Sequence, residues 1–239
     1  MNDAAAGLHD PISERALSFA RNSIGASFAA LFWIDASDVG FTDFILLDLP
    51  KKLMSGYFAG MSNFDPLSIK NTLNYERRFV TLQSDVVRDN CPSYDHYQRF
   101  LVEYDIEDEV DMLLFAGSQP IASIALHRRP SDPAFTKDEG YWFNLQSYLE
   151  FNLQFHPRVR AWLLSDALEK RFGLSPREQE VALLVSNGAS NCDIAELLGI
   201  KVGTVKTHII NLLDKLGVTS RYRIMALCRN IDVIGTTRA

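Results

Sequence analysis

The sequence predicts an α+β protein in two parts: an N-terminal α/β/α sandwich on an antiparallel sheet, then a C-terminal all-α unit of four short helices. Three observations carry that prediction. Runs rich in aromatic and branched residues, bounded by turn formers, occur as pairs: residues 27–36 with 41–49, and 109–116 with 121–128. Helix-period stretches lie between and around these pairs, the pattern of helices packed outside a sheet. After about residue 174, apolar residues recur at spacings of three and four.

Taken in order, residues 11–24 (PISERALSFARNSI) read as an amphipathic helix. The strand segments SFAALFWIDA and FTDFILLDL join near residues 38–40. Pro50 opens a helix, PKKLMSGYFAGM, which ends before Asn63-Phe64-Asp65-Pro66. Residues 79–83 read as a short strand, and Cys91-Pro92-Ser93 starts a helix that runs to about Tyr104. The segments EVDMLLFA and IASIALHR pair across residues 117–120. Residues 135–153 read as a helix with Thr136 as its cap and Asp138-Glu139 in its first turn. Residues 155–172 follow as a linker and connecting helix, with Pro157 marking the boundary and Trp162, Leu163 and Leu168 available to pack between domains or against a second subunit. The expected division is therefore residues 1–155, a linker at 156–172, and a second domain at 173–239.

The C-terminal helices have sharp punctuation. Ser175-Pro176-Arg177-Glu178 is a capping box with proline at the first helical position. Gly188, Gly199 and Gly217 stop successive helices, Ser190 caps the second, and Thr219 or Ser220 opens the fourth. The third, residues 203–216, carries an inward stripe of Val205, Ile209, Leu212 and Leu216. Its other face presents Lys206, Thr207, Ile210, Asn211 and Asp214. The short turn before it sets the angle of a helix-turn-helix, whose second helix can enter a DNA major groove.

The order and spacing of Ser175, Arg177, Glu178, Glu180, Val181, Gly188, Asn191, Ile194, Ala195, Leu198, the run Gly203-Thr204-Val205-Lys206-Thr207-His208, Lys215-Leu216 and Ser220-Arg221 resemble the DNA-binding domain of the LuxR family. The resemblance covers roughly the last 70 residues. It implies that the third helix reads DNA: Lys206 toward guanine or phosphate, Thr207 and Asn211 toward base edges, Ile210 toward a thymine methyl. Thr204, His208, Lys215, Ser220 and Arg221 are expected to clamp phosphates, with a solvated charge as the plain alternative for Lys215 and Arg221 and a core role for His208. Lys201 stands where such domains often have a serine cap, and Ile210 where a basic residue is frequent.

The order of elements, and especially the run YDHYQRFLVEYDIEDEVDMLLFAGSQPIASIALHRRPSDPAFTKDE, more loosely resembles, over most of residues 10–155, GAF-like (GAF/PAS-like) sensor domains, and the related autoinducer-binding domains, placed before LuxR-type modules. Pro50, Tyr57 and Asp65-Pro66 follow the autoinducer-binding order. Leu53 and Leu82 stand where tryptophans are expected, which removes a ring contact and an indole donor for an acyl-homoserine lactone. The residues expected to bind a small apolar ligand with one polar end are Trp33, Tyr57, Met61, Phe64, Asp65 and Tyr97. Phe58, Phe100 and Phe115 read as core.

Charge separates the two parts. From Leu168 onward ten Lys/Arg face seven Asp/Glu, a net +3; before it fourteen face twenty-three, a net −9. The basic part suits phosphate and the acidic part some other partner. Three scattered cysteines argue for reduced thiols rather than a disulfide framework or zinc site. The N-terminus lacks a basic segment followed by an apolar core, and no apolar run approaches membrane-spanning length, so a cytoplasmic protein is expected. Nucleophile elbows, phosphate loops and metal-spaced histidine pairs are absent from the sequence, so neither an enzyme nor a cofactor or metal is expected. The resulting expectation is a ligand-responsive, homodimeric bacterial transcriptional regulator, with a quorum-sensing signal among the candidate ligands. It would bind inverted-repeat promoter DNA and recruit RNA polymerase. The alternative is a ligand-independent regulator whose N-terminal part serves dimerisation or protein contacts.

Overall fold

The computed structural model describes residues 10–34, 41–75, 77–135 and 138–231. The chain divides into two compact units, Met1–His156 and Pro157–Ala239.

In the first unit the elements run α1 (Pro11–Ile24), β1 (Phe28–Ile34), β2 (Phe41–Leu47), α2 (Lys51–Phe58), a 3-10 turn (Met61–Phe64), α3 (Ile69–Asn74), β3 (Phe79–Thr81), α4 (Asp85–Asn90), α5 (Tyr94–Val102), β4 (Asp108–Ala116), β5 (Gln119–Arg128) and α6 (Glu139–Leu153). The five strands form one antiparallel sheet in the order β2-β1-β5-β4-β3. Helices α1 and α6 pack together on one face, where Leu17, Leu31, Met112, Ile124, Trp142 and Leu149 are buried. Helices α2, α4 and α5 cover the other face with Leu53, Met54, Val87, Tyr97, Phe100 and Leu101. The expected α/β/α sandwich is therefore present.

Local chemistry accounts for the element boundaries. Asp10 caps α1 by accepting from the Ser13 amide at 3.1 Å, and Gly25 ends the helix at φ +68°, where a side chain would be strained. Helix α6 starts later than expected, at Glu139, because Asp138 is the cap and accepts from the Gly140 amide at 2.9 Å. Thr136 and the expected turn at residues 38–40 lie outside the described residues. Helices α3 and α4 were not foreseen. Each is only six residues long, too short for an apolar period to register.

The second unit contains α7 (Pro157–Phe172), α8 (Pro176–Ser186), α9 (Asn191–Leu198), α10 (Val202–Leu216) and α11 (Arg221–Asn230). Capping boxes start α8 and α9, and Ser220 caps α11 by accepting from the Arg223 amide. Gly199 and Gly217 end α9 and α10 in the left-handed conformation. Leu174, Val181, Val185, Ile194, Val205, Leu212 and Ile224 form the core, joined by Leu164, Ala167 and Leu168 of α7. Leu168 is thus a core residue of this unit. No helix among the described residues is long and apolar enough to cross a membrane.

Candidate functional site

Helix α10 is held by its oily side. Val205, Leu212 and Leu216 are buried, and Ile209 is half-buried against the same core. At 3.6 residues per turn, the opposite side then projects Thr204, Lys206, Thr207, Ile210 and Asn211, all of them exposed. Ile210 is 58% exposed, a large aliphatic side chain with no core to fill. The Thr207 hydroxyl donates to the Gly203 carbonyl at 3.2 Å, which fixes its rotamer and leaves its lone pairs outward. Lys201 and Lys206 are exposed, without ion-pair partners among the described residues. Lys201 supplies no side-chain cap to α10, as its identity predicts. His208 is half-buried and its Nδ1 has no partner among the described residues.

The remaining expected phosphate contacts have partners inside the unit. The Lys215 ammonium lies 2.7 Å from Glu178 Oε2 and 3.3 Å from the Gly173 carbonyl. The same Glu178 oxygen accepts from the Ser175 amide at 2.8 Å and the Ser175 hydroxyl at 2.9 Å. Burial pushes the Glu178 pKa up, but the hydrogen bonds from Lys215 and Ser175 outweigh it and hold the carboxyl below its ordinary range. Arg221 donates to Asn191 Oδ1 at 2.9 Å and to the Ala189 carbonyl, tying α11 to the start of α9. Arg177 donates to the Leu198 carbonyl at 2.8 Å, satisfying the end of α9. Much of the polar signature in this segment therefore builds the scaffold that aims α10.

A second site lies in the first unit, under α2 and α5. Strand register places Phe28, His127 and Glu109 in one row of the sheet, Ala30, Ala125, Asp111 and Val80 in the next, and Phe32 and Ser123 in a third. The alanines and the serine leave a hollow that larger side chains would fill. The result is a cavity of about 170 Å³, walled by Phe32, Leu53, Met54 and Leu67 among apolar residues, with Lys70 at an exposed edge. Its polar lining comprises Tyr57, Ser62, Asp65, Ser68, Tyr97, Glu109, Asp111, Ser123 and His127, besides Lys70.

Most of these groups are paired. Tyr57 donates to Asp65 Oδ2 at 2.7 Å, and the Leu67 amide donates to Asp65 Oδ1 at 2.7 Å. Tyr97 donates to Glu109 Oε2 at 3.0 Å, while His127 Nε2 lies 3.2 Å from Glu109 Oε1. Burial, reinforced by the neighbouring Glu109 charge, pushes Asp65 up to about 8. Burial and the charges of Glu109 and Asp65 push Asp111 well above the carboxylate range. Tyr57 is likewise raised, by burial and then by Asp65.

Of the six expected ligand residues, Tyr57, Asp65 and Tyr97 line this cavity. Trp33, Met61 and Phe64 do not, which corrects that expectation. Trp33 belongs to the opposite sheet face, where its ring packs at a tilt against His156 with centroids 4.6 Å apart. Alternation along β1 decides this: Trp33 is an odd number of residues from Ala30 and Phe32. Phe64 is 44% exposed against His96, and Met61 packs at the edge of the core. Phe100 is core, but Phe58 is exposed beside Phe41 and Phe44, and Phe115 is half-buried under Arg78. Glu109, Asp111, Ser123 and His127 were missed. Part of their signal was legible: Glu109 and Asp111 sit two apart in a strand that is apolar beyond Asp111, so both must share one face.

Comparison with known proteins bears on the second unit most directly. The profile of the bacterial regulatory proteins of the luxR family matches residues 173–227. A probable transcriptional regulatory protein, SgaR, of Hyphomicrobium methylovorum is 46% identical over 59 residues, 25% of this chain and 28% of that protein. The monoamine regulon transcriptional regulator of Klebsiella aerogenes is 25% identical over 170 residues, 70% of this chain and 69% of the other. This chain spans only about a quarter of the length of the first curated relatives it matches. Among solved structures, Escherichia coli SdiA aligns over 93% of this chain and 90% of its own, with 14% identity and a TM-score of 0.47. Profile, capping pattern and helix geometry agree over the same residues: residues 173–227 are a helix-turn-helix segment of the luxR family of bacterial regulatory proteins.

Proposed function

We propose that this protein is a bacterial transcriptional regulator. Residues 173–239 bind double-stranded DNA through α10, residues 156–172 connect, and residues 1–155 sense a small molecule in the cavity beneath α2 and α5. The observation that carries the reading is the exposed face of α10. It puts Lys206, Thr207, Asn211 and an otherwise unexplained Ile210 on a helix fixed by its opposite side, with Lys201 at its start, and neither lysine has an ion-pair partner among the described residues. Lysine and asparagine can bond base edges or phosphates, and an aliphatic side chain can meet a thymine methyl. A single module this small gains affinity and register from a two-fold repeat, which favours a homodimer on inverted-repeat DNA.

A ligand-independent regulator has one observation in its favour. Helix α6 exposes Phe143, Tyr148 and Phe151, an aromatic surface suited to a second copy of the unit. Fluorescence anisotropy on promoter fragments selected by the full chain tests DNA reading. Lys206→Ala should weaken binding by about 1–3 kcal/mol and relax sequence preference. Unchanged affinity and preference would remove Lys206 from the reading face. Mass spectrometry of small molecules released from purified protein tests sensing.

A further inference from the structure

We propose that the cavity of the first unit binds a small organic cation, its ammonium group set among Asp65, Glu109 and Asp111 and its apolar body against Phe32, Leu53 and Met54. This rests on reading the cavity as a ligand site. It goes further by assigning the ligand a charge, where a neutral amphiphile would otherwise be expected.

The carboxylates alone would not establish this; the unused groups beside them do. Asp111 is 6% exposed and Ser123 3% exposed, both line the cavity, and neither side chain has a hydrogen-bond partner among the described residues. Buried polar groups without partners are rare, because each forfeits its bonds to water. Here a free carboxyl and a free hydroxyl converge on one hollow. Asp65 and Glu109 already accept from tyrosines and, for Asp65, a backbone amide, yet keep lone pairs to spare. Asp111 thus offers acceptor oxygens to the hollow that no described side chain fills. An ammonium brings three donors and a positive charge to those oxygens.

The charged and titratable groups facing the site oppose this arrangement little. Tyr57 from α2 and Tyr97 from α5 donate to the acids. His127 from β5 is bound to Glu109, and Lys70 from α3 stays at the exposed edge. Burial and the neighbouring carboxylate charges make Asp65 and Asp111 weaker acids. A bound cation favours their ionised forms, so binding should release protons near neutral pH. At about 170 Å³ the hollow suits one ring or a short alkyl chain.

Isothermal titration of the full chain with benzylamine and butylamine, each against its alcohol isostere, tests the proposal. N-octanoyl homoserine lactone serves as a neutral amphiphile, and titration in phosphate and in Tris counts protons. An amine should bind at least tenfold tighter than its alcohol and release protons. Asp111→Asn should weaken the amine at least tenfold while raising the melting temperature of the empty protein, since an amide removes a buried acid without removing volume. Ser123→Ala should weaken it several-fold, and this variant checks the result if Asp111→Asn misfolds. Equal binding of alcohol and amine, no proton release, or an unchanged affinity in both variants would overturn the cation. If the lactone or the alcohols bind and the amines do not, the cavity remains a ligand site and only the cation is lost. If none binds, both readings fail.

Discussion

Each unit buries carboxylates, and the two treat them in opposite ways. In the second, Glu178 is surrounded by donors: the Lys215 ammonium and both the amide and hydroxyl of Ser175. Its acidity is strengthened despite burial. In the first, Asp65, Glu109 and Asp111 crowd one cavity with tyrosines and a histidine for company, and Asp65 and Asp111 become weaker acids. A carboxylate that meets a cation during folding holds elements together. Carboxylates crowded together without a cation among them lower stability and are most simply explained by a partner that arrives afterwards.

The comparison can be broken first at Glu178. Glu178→Ala removes three hydrogen bonds and the capping box and should cost about 3 kcal/mol in urea unfolding of the second unit. A loss below about 1 kcal/mol would mean that the network is decorative. The pH dependence should separate the units by sign. Glu178, with its folded pKa below the unfolded value, contributes stability above about pH 4.5 that is lost as pH falls through the folded pKa. Asp65 works the other way: between its ordinary value of 3.8 and about 8 the unfolded chain is ionised while the folded one keeps its proton. Stability of the empty first unit should therefore decline as pH rises through that window. Calorimetry across pH 3–9 on Glu178→Gln and Asp65→Asn should flatten the acid limb and the alkaline decline respectively; identical profiles for both variants would erase the contrast.

A smaller effect is expected at Lys215. Lys215→Ala should cost about 2 kcal/mol of stability. The salt dependence of DNA binding should keep its slope if the ammonium is spent on Glu178; a slope lowered by about one unit would return it to phosphate. The smallest concerns the start of α10, which, unlike α8, α9 and α11, has no side-chain cap. Lys201→Ser should stabilise the second unit by about 1 kcal/mol. If Lys201 meets phosphate, the same change should weaken DNA binding; unaltered affinity would leave its identity unexplained.

Legibility differed between the units for a physical reason. In the second, caps, stop glycines and a helical apolar stripe are local, so residues within a turn of each other announced α8 to α11 and the outward face of α10. The partners of Lys215 and Arg221 are 37 and 30 residues away, and no local pattern foretold them. In the first unit, strand pairs were visible as aromatic and branched runs bounded by turn formers. The assignment of residues to sheet faces was less so, and Trp33 was named among the ligand residues without one. Aromatic character suggested a ligand contact there, whereas strand parity put the ring against His156.

By itself, then, the sequence determined the two-part architecture, the helix boundaries of the second unit and the side chains that α10 shows to solvent. Those features follow from interactions among residues a few positions apart. Only the tertiary structure decided which polar groups are consumed in holding the protein together and which are left over. Glu109 and Asp111 could be read as a buried pair on one strand. That Asp65 from a distant turn joins them around a hollow floored by Ala30, Ala125 and Ser123 depends on the register of β1, β5 and β4. Long-range pairing fixes that register.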